Sequence, residues 1–351
     1  MKSSAFGTTQ TRGRTAKAVR KLLHRGLATN RPLIILSGVM FITFLATIVG
    51  VFVDHHRVIT GAPAWLKPAK FAISVSVYCF TFVWLLSFVE NHPRLVQIVA
   101  NVTVVSISVE MVVITTQAAR GITSHFNLTT TFNSFLWFTM GAFIVVVWTM
   151  NLLLAILLSR QRMPDQVFAW SLRLGVLVSS IGMAAAFFMT MPTPKQAAAM
   201  AGGSPAHIVG AHSVGVPDGG PGLPVVGWST TGGDLRVAHF FGLHALQVLP
   251  FLGWFLTRRK GLSVWLVTND RLALVWTGAV AYLGLVLLLL WQALRGQSVI
   301  NPDSNTIAAA SALVASVGTS LTVVLARVFN RNRKTHVLAA AIQILSHSED
   351  I

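Results

Sequence analysis

The chain has 351 residues, 54% of them hydrophobic and 11% charged, with a mean hydropathy of +0.67. Soluble domains carry about 25% charged residues, so the composition excludes an ordinary soluble fold, and length here counts helices in a membrane rather than soluble domains. The net charge of +17 sits mainly beside apolar runs without interleaved aromatics, which argues against nucleic acid and for the lipid bilayer as partner.

Residues 1–31 form a basic tail holding Lys2, Arg12, Arg14, Lys17, Arg20, Lys21, Arg25 and Arg31 and no acid. The apolar run behind it is too long for a signal-peptide core and lacks a small-residue cleavage site, so it reads as an uncleaved first span. An arginine- and Ser/Thr-rich transit peptide is the alternative. The stretch KAVRKLLHRGL suits a basic amphipathic helix lying on anionic lipid.

Eight apolar runs of spanning length follow, at about 33–53, 70–89, 95–117, 134–158, 167–190, 237–256, 272–293 and 306–327. Lys and Arg gather in the tail, at Arg94, at Arg160 and Arg162, at Arg258, Arg259, Lys260 and Arg271, and at Arg327, Arg331, Arg333 and Lys334. The other side carries only Arg57, Lys67, Lys70, Arg120, Lys195, Arg236 and Arg295. The positive-inside rule therefore puts both termini in the cytoplasm. The expected organisation is a cytoplasmic tail (1–31), an all-α, eight-span transmembrane bundle (32–328) and a cytoplasmic C-terminal tail (329–351). Cys79, the single cysteine, permits no intrachain disulfide and no cysteine-rich metal site.

Small residues predict where helices touch. Gly175, Ser179 and Gly182 share a face of the fifth span, and Ser311, Ala315, Gly318 and Thr322 share one in the eighth. The loop 191–236 is rich in Gly and Pro yet carries Val, Leu and Trp, unlike a flexible linker. It reads as an ordered cap over the outer mouth of the bundle.

Nearly all unusual residues fall on the outer side. Within the spans, Thr103, Ser106, Glu110 and Gln117 form one stripe on the third helix. An acid at that depth costs several kcal/mol unless paired or protonated, and marks a functional site by default. His244 and Gln247 share a face of the sixth span at similar depth. Glu110 and His244 are therefore the expected acid–imidazole pair and the expected catalytic groups. The alternative is a packing bond between helices. Lys67, Lys70, Arg120, His125, Asp234, His239 and Gln247 are the expected ligand-binding residues around them.

His239 and His244 lie five residues apart, about 140° around a straight helix, so they do not form an i,i+4 metal pair. A transition metal held between helices and loops would draw on His55, His56, His125, His212, Asp218, Asp234, His239 or His244. A bis-histidine haem is less favoured, because only His244 lies clearly inside a span. At the inner side, Asn101, Asn151 and Arg173 would extend a polar path if Arg173 turned inward rather than snorkelling to the cytoplasm. No GxSxG elbow accompanies Ser229, Thr230 and Thr231, and the glycines lack a phosphate-loop frame.

The segments GAPAWLKPAKFAIS, RGITSHFN and GVPDGGPGLPVVGWSTTGGDLRVAHFFGLHALQ resemble those of a group of multi-span bacterial membrane proteins with no established activity. The resemblance covers roughly residues 54–256 and implies a bacterial inner-membrane setting without a chemistry. Haem A synthase also has eight spans, but its pattern of histidines on paired helices is missing here. The expected function is an outward polar pocket binding a metal, quinone or small polar ligand, with a redox or enzymatic role. Alternatives are a proton-coupled transporter that uses the same pair and a structural or assembly subunit.

Overall fold

The structure is a computed structural model describing residues 24, 26–258 and 265–348, with side chains up to 333. Most of the basic tail, most of its amphipathic stretch, and Arg259 and Lys260 lie outside the described residues. Eight helices are long and apolar enough to cross a membrane. They are α1 (Arg31–Val53), α2 (Leu66–Leu86), α3 (Pro93–Ala119), α4 (Thr131–Arg160), α5 (Gln166–Ala184, continued as a 3-10 turn to Thr190), α7 (Leu235–Arg258), α8 (Thr268–Leu294) and α9 (Ser304–Ser348). A short helix α6 (Pro194–Ala201) lies between α5 and α7. The chain is thus an all-α, multi-pass membrane bundle.

The helix starts are chemically marked. Asn30, Thr130 and Asp165 accept the N–H groups of Leu33, Asn133 and Phe168, each filling one of the donors that a helix start leaves open. Helix α2 begins four residues before its expected apolar run, because Pro68 fits a first turn, where no N–H is needed. Lys67 and Lys70 consequently sit on a helix rather than in a loop. Helix α9 runs on to Ser348, through the expected boundary at 328.

Two cores divide the bundle. The first joins α1 to α4 with one side of α5 and Leu246 of α7. There Ser37 and Ser76 donate to each other's backbone carbonyls (2.8 Å each), a polar stitch between α1 and α2. The second core joins α5, α7, α8 and α9. The expected small face of α5 packs as the spacing suggested: a Cβ on Gly182 would fall on the backbone of Gly242, and one on Gly175 would meet Pro250 and the Ala245 carbonyl. The corresponding face of α9 does not pack. Ser311, Ala315, Gly318 and Thr322 are all exposed, and α9 instead turns Leu313, Val324 and Val328 inward.

The segment from Met191 to Asp234 is an ordered cap. A capping box of Thr193 and Gln196 starts α6, and the Gln196 side chain then bonds both backbone groups of Gly210. The antiparallel pair β3 (Ser213–Val214) and β4 (Gly233–Asp234) closes the loop onto the start of α7. The cap also reaches every other loop on this face. Leu128 donates to the His207 carbonyl and Val209 to that of Phe126 (2.8 and 3.0 Å). Gly219 lies against Gly61 in the turn between β1 (Val58–Ile59) and β2 (Ala62–Pro63), too close for any Cβ on Gly61. Ser298, between α8 and α9, donates to the Ser229 carbonyl (3.0 Å).

Candidate functional site

The first turn of α2 aims Lys67 at the loop between α3 and α4, where Lys67 Nζ lies 3.0 Å from His125 Nδ1. Ser124 Oγ approaches the same nitrogen at 3.0 Å. Rings of Phe71, Phe126 and Trp137 surround the imidazole, at centroid distances of 6.0, 5.9 and 5.5 Å. The cap supplies a second imidazole, His212, 6.2 Å from His125 between centroids. His212 Nδ1 lies 2.7 Å from Asp218 Oδ2, and Asp218 also accepts the backbone N–H groups of His212 and Ser213.

These bonds assign the two tautomers. As an ammonium Lys67 can only donate, and in that form it makes His125 Nδ1 an acceptor and leaves the proton on Nε2. A carboxylate can only accept, so Asp218 puts the His212 proton on Nδ1 and leaves Nε2 with a free lone pair. Neither Nε2 has a hydrogen-bond partner among the described residues. The His212 side chain keeps 19% of its surface accessible, so its ring can be reached. One imidazole thus offers a donor and its neighbour an acceptor.

Electrostatics keeps both rings neutral. Burial, then the charge of Lys67, pushes His125 well below the usual imidazole range. Burial also lowers His212, against its hydrogen bond to Asp218. Burial by itself would raise the Asp218 carboxyl, but the bonds from His212 and Ser213 hold it below the usual carboxylate range. The His212–Asp218 contact is therefore a bond from a neutral ring to a carboxylate. Stability should follow from this. Unfolding frees both histidines to bind protons near pH 6.5, which the folded rings resist, so stability should fall as pH drops below about 6.5. Melting curves from pH 7.5 to 5 should show that slope, reduced in His125→Gln. A flat profile in the unsubstituted protein would contradict the assignment.

Glu110 lies on α3, 7% exposed, and its Oε2 is buried with no hydrogen-bond partner among the described residues. The opposite charge acting on it is Lys67. No hydrogen bond joins Glu110 to His244. His244 Nδ1 instead lies 3.2 Å from Gln247 Oε1, and Gln247 donates to Thr81 Oγ1 of α2 (3.1 Å). His244 Nδ1 is thus taken up along its own helix.

The other expected residues hold the architecture. His239 Nδ1 donates to the Gly182 carbonyl (3.0 Å), Lys70 to that of Val226 (3.1 Å), and Arg120 to Gln117 and Asn133. Asp234 pairs with Arg236 within the cap. Lys67 and His125 are thus brought together and Glu110 acts on Lys67 only through its charge, while His244 Nδ1, Gln247, Lys70, Arg120, Asp234 and His239 are engaged elsewhere. His212 and Asp218 complete the site. In the sequence they stood out only as two members of a pool of metal ligands. Among the described residues no three His, Cys, Asp or Glu side chains converge as a metal cage.

The inner residues do not form one cluster. Asn101 accepts from Asn30, Asn151 donates to Ser180, and Arg173 donates to the Leu158 and Gln161 carbonyls at the end of α4. No protein-family model, curated protein or solved structure matches this chain.

Proposed function

We propose that this chain binds a neutral, planar, carbonyl-bearing ligand of the quinone class, at a site between cap and bundle on the outer face of a bacterial cytoplasmic membrane. The observation that carries the reading is the pair of neighbouring imidazoles whose Nδ1 atoms meet Lys67 and Asp218 and whose Nε2 atoms have no partner among the described residues. A quinone oxygen accepts from His125 Nε2–H; the hydroxyl of the reduced form donates to His212 Nε2. Glu110, buried without a partner, is the group suited to hold or release a proton there.

The charges favour a neutral ligand over an anion. Lys67 is the cation bonded to His125; Glu110 and Asp218 act on it electrostatically against Arg236 and Lys70, and Arg236 is itself paired with Asp234. An added anion would meet both carboxyl groups. Phe71, Phe126 and Trp137 offer aromatic faces to a flat ring, and quinones reach such a site from the bilayer. Proton-coupled transport has less support, since it needs a polar route to the other face and Asn101, Asn151 and Arg173 hold separate partners.

Titration of the purified protein with decylubiquinone and menadione, read by tryptophan quenching, tests the proposal. Saturable binding is expected. His125→Phe and Glu110→Gln should each weaken it roughly tenfold or more, the cost of a lost buried hydrogen bond or charge. No binding by the unsubstituted protein, or equal binding by both variants, would remove the reading.

A further inference from the structure

On the opposite face, the loop between α4 and α5 encloses a half-open cavity of about 360 Å³. Its wall includes Arg160, Arg162 and Arg173, with Ser159, Gln166 and Met163 between them. Arg160 and Arg162 are exposed, and none of the three arginines pairs with a carboxylate among the described residues. Neither nearby acid, Asp165 nor the exposed Glu90, pairs with these arginines among the described residues. Asp165 caps α5 at the Phe168 N–H (3.0 Å), and Glu90 offers its backbone N–H to Gln161 Oε1 (3.2 Å).

Arg173 sets this cavity apart from an ordinary basic loop. It stands about 10 Å along α5 from the helix start, at 1.5 Å per residue. Its Nε and Nη2 donate to the Leu158 and Gln161 carbonyls (3.1 and 2.8 Å), and its guanidinium lies 5.2 Å over the Trp170 ring. The group is thereby fixed in the cavity wall, with Nη1 left over. The positive-inside rule asks for cations in this loop. It does not ask for a concavity, nor for a guanidinium clamped into its wall. Three unpaired cations around one hollow repel each other until an anion joins them. Guanidinium forks match phosphate oxygens in geometry, and basic hollows between helices at the membrane surface suit phospholipid headgroups.

We infer that this cavity binds a phosphate-bearing anion, either an anionic phospholipid headgroup or free phosphate. The test uses the full chain in mild detergent and native mass spectrometry, with phosphatidylglycerol, phosphatidylcholine and inorganic phosphate as probes. Phosphatidylglycerol should be retained over phosphatidylcholine, and the Arg160→Gln, Arg162→Gln double variant should lose roughly tenfold in retention. Both side chains are exposed, so the variant should fold, and an unchanged melting temperature would verify that. Arginine-dependent binding of inorganic phosphate, without lipid preference, would assign the site to the free anion. Equal retention of both lipids with no phosphate binding, or phosphatidylglycerol retention unchanged in the folded double variant, would overturn the inference. Decylubiquinone binding should not respond to these substitutions.

Discussion

Replacing Asp234 with alanine should unfasten the cap while leaving the bundle intact. Asp234 is 2% exposed, and both of its oxygens are occupied. Oδ2 accepts the Ser229 N–H (2.8 Å) and Arg236 Nη2 (2.5 Å), and Oδ1 accepts Arg236 N and Nε (3.0 and 2.9 Å). Arg236 passes the connection on to the Gly227 carbonyl (2.6 Å). The alanine variant strands a guanidinium and a backbone N–H, and removing one partner of such a pair costs about 3–5 kcal/mol when it is buried. Limited proteolysis should then cut between 202 and 234 at least tenfold faster, a factor that about 1.4 kcal/mol of opening free energy already gives. Asp234→Asn, which keeps an acceptor for Ser229, should be milder. Cleavage at the unsubstituted rate would show that the clasp does not hold the cap. Decylubiquinone affinity should fall with the released cap, because His212 and Asp218 ride on it.

A valine at Gly182 should have the largest effect in the membrane domain. Gly182 and Gly242 face each other where α5 crosses α7, and a Cβ on either one meets backbone, which cannot rotate away. The same crossing is stitched by His239, which donates to the Gly182 carbonyl (3.0 Å). Forcing the helices apart breaks this bond together with the packing. Overpacking alone costs about 1–3 kcal/mol, so Gly182→Val should lower the yield of monodisperse protein and its melting temperature, with Gly182→Ala in between. Gly318→Val on α9 is the matched control, because a Cβ there meets nothing within 4 Å. Normal elution and melting for Gly182→Val would show that the contact is not needed.

The eight spans were legible because a bilayer demands some twenty apolar residues in a row, and that demand is written along the chain. The start of α2 was not, since Lys67, Pro68 and Lys70 look like a loop until the proline is placed in a first turn. Small faces could be recognised but not assigned partners. The one on α5 meets α7, whereas the one on α9 is exposed and packs on no helix among the described residues. The candidate site divides in the same way. Glu110 announced itself, because an acid on a helical stripe is visible by counting. Its relation to His244 was not visible, because depth can be counted along a helix while facing depends on how helices cross. His244 found Gln247 one turn away on its own helix. The His212–Asp218 bond depends on the backbone path of a loop, which no period reveals. Asp234 looked like a ligand group, but its charge is used in the pair with Arg236.

The attachments of the cap bear on how the protein is made. The cap is synthesised between α5 and α7, and two of its anchors, at Gly61 and Phe126, come earlier in the chain. The third, Ser298, follows α8. A ribosome delivering the helices in order therefore supplies the cap before its last anchor exists. The loop must wait until α8 has crossed the bilayer and the loop that follows α8 has emerged on the same side as the cap. Maturation of the His125–His212 pair then becomes a late, post-insertion event, and chains truncated before residue 298 would enter the membrane with an unlatched cap.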